Sequence, residues 1–236
     1  MIALTIALGA GVATSMLSVM FNVGDKVNQE LKSYGANIVV RAQGAAVLSD
    51  LYSTGEASES HAYLREDELG NIKTIFWTYN ILDFAPLLNV SATDASGAPV
   101  ATTGTWFSHH LELATGESID TGLDKLRGWW GVTGAWPTDE DATGAIVGAT
   151  YAAERDLNVG DSFTLTRAGI SREFTVRGVV TTGDDADRGV YIQLPAAQEL
   201  IEREGVVSSV EVSALTTPDN DLARKAAKNP NSLSVS

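Results

Sequence analysis

The side chains best equipped for chemistry are His109 and His110, followed by Glu112, which together carry the nitrogen and oxygen ligands a metal ion uses. Adjacent histidines point in different directions on any regular element, and no partner cluster accompanies them. The spacing therefore favours a structural or surface role. Asp184, Asp185 and Asp187 begin like a calcium loop, but the further oxygen ligand and the distal glutamate of an EF-hand are missing, which leaves a solvated turn. Asp139, Glu140 and Asp141 form a similar polar turn after Pro137. Carboxylates are plentiful enough for an acid–base pair, yet no spacing singles one out. No serine sits in a Gly-x-Ser-x-Gly elbow, and His61 lies in a stretch rich in Gly, Ala and Ser. A Gly-x-x-x-x-Gly-Lys-Ser/Thr loop for nucleotide phosphates is absent. With no cysteine, thiolate catalysis, disulfides and Cys-based metal centres are excluded. The chain is not expected to be an enzyme, and no catalytic, cofactor or metal residue is assigned.

The most aromatic stretch is residues 126–137. Trp129, Trp130 and Trp136 could form a surface for stacking on a ligand or partner, although tryptophans at this density also fill a core or a subdomain seam. They are the partner-contact candidates. Asn89-Val-Ser91 fits a glycosylation acceptor, a motif common by chance.

The elements that must position these residues begin with a membrane signal. Residues 1–24 carry no charge. About 20 apolar residues in a helix match a hydrocarbon core of ~30 Å. A cleavable signal peptide would show a basic start and a small-x-small site after the apolar run, and both are missing. The run therefore reads as a retained transmembrane helix. Its missing basic flank predicts further residues before Met1. Ala7, Gly11, Ser15 and Ser18 form a small-residue stripe that suits close helix packing in lipid, as do Gly9 and Ala13. Met20, Val23, Val27, Leu31 and Tyr34 continue at helical spacing, so the helix is expected to leave the bilayer as a stiff stem and to end at Gly35. Met20, Val23, Val27 and Leu31 are the stem-helix coupling candidates.

Beyond the stem the chain is acidic. Its 30 Asp and Glu against 16 Lys and Arg give a formal net charge of −14. That argues against nucleic acid and against a soluble part lying flat on anionic lipid. Residues 36–41 read as a short buried strand, and 43–60 as a loop. Residues 65–74 read as helix, and 75–90 as β-rich with an interruption at Pro86. A hairpin turn is expected near Ser96 and Gly97, and a second around Ala168 and Gly169. Residues 145–147 and 189–195 read as strands, 150–156 as a short helix, and 195–204 as a helix opened by Pro195. Strand 206–212, helix 219–228 and the start of a strand at 233–236 complete the pattern. The expected fold is α+β, a ferredoxin-like β-α-β layer with an inserted mainly-β subdomain, preceded by a long transmembrane and stem helix. Its divisions are residues 1–34, then 35–90 with 205–236, and the insertion 91–204.

The ordered set of segments resembles a known family. GANIVV (35–40) follows the membrane helix, then come IVGATYAAERDLNVGDSFTL (146–165), FTVRGVV (174–180) and VYIQLP (190–195). Together they resemble the extracytoplasmic core domain of MacB/FtsX-type ABC transporter permeases over nearly the whole chain. Residues 130–136 further resemble a subgroup found beside bacterial iron-uptake genes, which implies a link to metal transport. The resemblance implies a cell-membrane location with the soluble part outside the cytoplasm, and three more membrane helices after Ser236. It also implies a second permease subunit in a homo- or heterodimer, contact with membrane lipid, and an extracytoplasmic partner protein. ATP would be bound by a separate cytoplasmic ATPase domain or subunit, so no cofactor is expected in this chain. The outer domain would transmit ATP-driven motion to substrate export, extraction or an outer partner. Two other readings stay open on the residues alone: a membrane-anchored extracellular ligand-binding protein, and an anchored hydrolase.

Overall fold

A computed structural model describes residues 35–42 and 63–214. The expected membrane and stem helix, the loop 43–60, the helix 219–228 and the strand 233–236 lie outside the described residues. Among those described, no helix is long and apolar enough to cross a membrane.

The described part is dominated by strands: β1 (Ile38–Arg41), β2 (Leu64–Arg65), β3 (Ile81–Thr93), β4 (Pro99–Thr105), β5 (His109–Glu112), β6 (Ser118–Thr121), β7 (Gly131–Gly134), β8 (Gly144–Gly148), β9 (Ser162–Arg167), β10 (Ile170–Thr181), β11 (Val190–Gln193), β12 (Val206–Val207) and β13 (Ser209–Ala214). Three short helices accompany them: α1 (Leu123–Leu126), α2 (Ala149–Arg155) and α3 (Leu194–Leu200). A 3-10 segment covers Glu66–Lys73. One mixed nine-stranded sheet runs β1-β13-β3-β4-β11-β8-β10-β7, with β9 paired to β10. The architecture is a sheet-dominated α+β fold. The sheet passes without a break from the strands expected in the first α+β part to those expected in the insertion, joined by the β3–β4 ladder.

Alternation along each strand sorts the sheet into two faces. Phe84, Leu88, Val90 and Ala92 of β3, Val190 and Ile192 of β11, Phe174 and Val176 of β10, and Val210 and Val212 of β13 face the main core. Leu194, Ala197 and Leu200 of α3 and Tyr151 and Ala152 of α2 close it. Gly104 of β4 lets α3 come close, since a Cβ there would stand 2.2 Å from the Ala197 Cβ. Ala85, Ile146 and Val180 face the other way, into a smaller cluster with Phe107, Leu123, Leu126 and Trp130.

Two local expectations are corrected. Pro86 does not interrupt β3. The Leu87 carbonyl accepts from Ser208 on the β13 side, so the backbone of Pro86 faces the opposite side. There β4 has already ended at Thr105, opposite Leu87. The missing N–H therefore removes no ladder bond. Nor is β1 buried: Ile38, Val39 and Val40 are exposed, and among the described residues β1 is the edge strand, paired only with β13. The apolar run was read as interior on composition, which cannot distinguish an edge from a centre.

The expected turn near Ser96 is the β3–β4 hairpin, and it carries a charged clasp. Asp94 Oδ1 accepts from the Ser96 and Ala98 amides at 2.9 and 3.1 Å, and Oδ2 accepts from Arg155 Nε of α2 at 2.6 Å. Burial alone would raise the Asp94 carboxyl, but the hydrogen bonds from Ser96, Arg155 and the Ala98 and Ser96 amides outweigh it and hold it at about 2, against an ordinary 3.8. The folded state thus keeps Asp94 ionised while the unfolded chain has begun to take up a proton. This stabilisation is complete above the ordinary carboxyl value and fades as pH falls from about 4 to about 2. Burial raises Asp83 and Asp124, so those two act with the opposite sign. We expect Asp94→Asn to flatten the fall in urea midpoint between pH 5 and pH 2.5. A variant with an undiminished slope would remove Asp94 as its source.

Candidate functional site

The site is built where the chain enters the described unit. After β6, the Leu123 and Asp124 amides of α1 donate to the Trp106 and Phe107 carbonyls at 2.9 and 3.0 Å. This fixes α1 on the second face of the sheet, with Leu123 and Leu126 buried against Phe107. The chain then turns through residues 127–130 into β7, which pairs antiparallel with β10. A backbone bond from the Trp130 amide to the Arg127 carbonyl at 2.8 Å closes that turn.

Trp130 is 8% exposed and lies at the centre of the cluster. Its ring stacks on Trp136 with centroids 6.1 Å apart and meets Tyr191 edge-on at 5.0 Å. Trp136 in turn tilts against Phe107 at 6.1 Å. Trp129 stands edge-on to Trp130 at 6.3 Å and is 40% exposed. Arg127 lies over the Trp130 ring at 5.7 Å, a cation–π contact, and its Nη2 donates to Glu211 Oε2 of β13 at 2.6 Å. Burial pushes the Tyr191 hydroxyl up to about 12, so it stays neutral at physiological pH. Among the described residues, Arg127 Nε and Trp130 Nε1 have no hydrogen-bond partner.

The entry segment is locked into this cluster. Gly35 adopts φ +83°, a left-handed conformation. A Cβ at Gly35 would lie 3.2 Å from the Leu126 carbonyl oxygen, 3.3 Å from Arg127 Nη1 and 3.5 Å from Trp129 Nε1. Ala36 packs on the aromatic cluster. The Asn37 amide donates to the Val212 carbonyl at 3.0 Å. Its side chain binds Ala214 twice, Nδ2 to the carbonyl at 2.7 Å and Oδ1 from the amide at 2.9 Å. The entry at Gly35 and the end of β13 are thus fastened to each other.

The structure brings Trp129, Trp130 and Trp136 together, two of them packed inward and Trp129 outward. Met20, Val23, Val27 and Leu31 lie outside the described residues. His109 and His110 diverge: Nδ1 of the first meets Asp139 at 2.6 Å, and Nδ1 of the second meets Asp120 at 2.6 Å. Trp106 stacks on His109 at 4.2 Å. Among the described residues, no three His, Asp or Glu side chains converge on a point that could hold a metal ion. The Asp184 and Asp187 carboxylates are taken up within their own turn by the Ala186, Thr182 and Gly183 amides. Arg127, Glu211, Tyr191 and Asn37 were not found from the sequence. Their partners lie 84 and 177 positions away for Arg127 and Asn37, and no local spacing carries such a signal.

The profile of the MacB-like periplasmic core domain matches residues 1–229. The chain belongs to this family. It is the extracytoplasmic domain of a MacB/FtsX-type ABC transporter permease. Similar solved structures include the periplasmic region of MacB from Actinobacillus actinomycetemcomitans, at 16% identity and TM-score 0.48, over 80% of this chain and 78% of that one. The extracellular domain of the noncanonic ABC-type transporter YknZ from Gram-positive bacteria matches at 12% identity and TM-score 0.48, over 80% of this chain and 86% of that one. Comparison with curated protein sequences gives no match. In this MacB-like domain the aromatic cluster and the entry segment form one connected piece of structure.

Proposed function

We propose that this domain is the moving outer part of the transporter and that motion enters it at Gly35–Asn37. The observation that carries the reading is the double clasp of Asn37 on Ala214, beside Gly35 lodged against Leu126, Arg127 and Trp129. A displacement of the chain before Gly35 would be passed to β13 through Asn37 and to the Trp130 cluster through Ala36. The Arg127–Glu211 pair joins those two routes. The nine-stranded sheet then moves as one body, a rigid displacement rather than a bend.

In this reading residues 1–34 are the membrane and stem helix, with Met20, Val23, Val27 and Leu31 giving the stem its coupling face. ATP is bound and hydrolysed by a cytoplasmic ATPase domain or subunit, and a second permease subunit completes the membrane part. The domain itself performs no catalysis and holds no cofactor. It drives cargo export, extraction or an outer partner, for which the exposed Trp129 ring is the contact. The link to metal transport rests on the resemblance of residues 130–136 alone. The fold is completed as two β-α-β units, with 219–228 and 233–236 supplying the helix and the last strand of the second.

The test uses Asn37→Ala in the reconstituted full-length transporter. Loss of both Ala214 contacts should leave ATP hydrolysis running while its coupling to displacement of the outer domain falls at least twofold. Full coupling in a folded Asn37→Ala transporter would overturn the proposed route.

A further inference from the structure

Besides Ile38, Val39 and Val40 of β1 and the separate Trp129 and Val159, the large apolar side chains that the described residues expose to water lie together in one short turn and the start of β3. Residues 74–82 carry no charge, in a chain whose formal net charge is −14. Within it Phe76, Trp77 and Tyr79 are 51, 40 and 86% exposed, and Ile75 and Leu82 are exposed as well. The turn is built rather than slack. Lys73 Nζ donates to the Ile81 carbonyl at 2.6 Å, and Thr78 Oγ1 donates to the Lys73 carbonyl at 2.7 Å. Backbone bonds from Thr78 to Ile75 and from Asn80 to Trp77 close it, at 3.0 and 2.9 Å. Phe76 and Trp77 meet edge-on at 5.1 Å, which holds the two rings as a wedge. Holding such rings in water has no packing purpose, and a contiguous patch of this kind marks a contact surface.

Its position selects the occupant. Ile81, which follows the turn, pairs with Ala214, and Ala214 is held by Asn37. The turn therefore stands at the end of the sheet where the chain enters and β13 finishes. The β3–β4 hairpin marks the opposite end. Ten residues, 25–34, separate Gly35 from the uncharged run 1–24. In any conformation ten residues reach at most about 35 Å, so the entry end is tethered near the headgroup layer, which extends roughly 5–8 Å outside the hydrocarbon. Tryptophan and tyrosine are the residues that settle at this depth. The acidic remainder of the domain is repelled by anionic lipid, so contact through a small uncharged tip is the form such a contact would take.

We propose that Ile75, Phe76, Trp77 and Tyr79 form an interfacial wedge that enters the headgroup layer of the bilayer and steadies the entry end of the domain. The inference rests on the reading of residues 1–24 as the membrane helix.

The chain has no cysteine, so single nitroxide labels can be placed without removing native thiols. Tyr79→Cys, Ala95→Cys and Val12→Cys are made in the full-length transporter, in phosphatidylcholine vesicles with a minor fraction of phosphatidylglycerol. Collisions with oxygen, which concentrates in lipid, are compared with those of a water-soluble nickel chelate. The wedge predicts an oxygen-to-nickel ratio at Tyr79 between the lipid value at Val12 and the aqueous value at Ala95. It also predicts a return toward the Ala95 value when Phe76 and Trp77 are both replaced by serine. A Tyr79 ratio equal to that at Ala95 overturns the wedge. So does shielding of Tyr79 from both reagents, which would place a protein surface there instead. An aqueous Val12 overturns the membrane-helix reading and the wedge with it, whereas a lipid-facing Val12 with an aqueous Tyr79 overturns the wedge alone.

Discussion

Replacing Trp130 with alanine should lower the stability of the domain by about 3–5 kcal/mol, the range for large aromatic truncations in a core. For a unit of this size that corresponds to a fall in Tm of roughly 6–20 °C. The expectation follows from its 8% exposure and its ring contacts with Trp136 and Tyr191. The change also strips Arg127 of its cation–π partner, leaving the guanidinium to Glu211 alone. Trp129→Ala, at 40% exposure, should cost about 1 kcal/mol or less. Thermal unfolding followed by circular dichroism separates the two. Equal losses at the two positions would contradict the assignment of Trp130 to packing and Trp129 to the surface.

The second large effect concerns the stem. In the proposed stem helix, proline at Val27 would remove a helical hydrogen bond and clash with the preceding turn, at about 3 kcal/mol or more of helix stability. We expect Val27→Pro to abolish ATP-driven displacement of the outer domain while the domain keeps its near-ultraviolet aromatic spectrum and ATP hydrolysis continues. The entry segment past the kink is unaltered, because Gly35, Ala36 and Asn37 keep their contacts within the domain. A demonstrated kink with displacement unchanged would rule out a rigid stem.

Much of this fold is legible in the sequence where local chemistry decides. The turn at Ala168 and Gly169 is announced by Gly169, which adopts positive φ without a Cβ clash, and Ala168 is drawn into the left-handed region beside it. Pro195 opens α3, and the Thr150 region forms α2. Residues 65–74, which read as helix, wind over Glu66–Lys73 as a 3-10 helix with Leu69 buried. Legibility ends where position in the sheet decides. Ile38, Val39 and Val40 have the composition of an interior strand but sit at its edge among the described residues, and Pro86 looks like a breaker but lies just past the end of β4. The candidate site was half visible. Three tryptophans within eight positions announce an aromatic cluster, yet which ring faces inward depends on Tyr191 and Phe107, brought there by distant strands. The clasp of Asn37 on Ala214 joins the two ends of the described chain, and no pattern in one dimension reports it.

The most direct test of the account is the height of the domain above the membrane during the ATP cycle. A dye on Ala95→Cys, at the hairpin far from the entry, donates by resonance transfer to acceptor lipids in vesicles holding the full transporter. Transfer efficiency is compared without nucleotide and with ATP and vanadate. A rigidly coupled domain predicts a reproducible shift between the two states that disappears in Val27→Pro and shrinks in Asn37→Ala. Identical efficiencies in a transporter that hydrolyses ATP would contradict it.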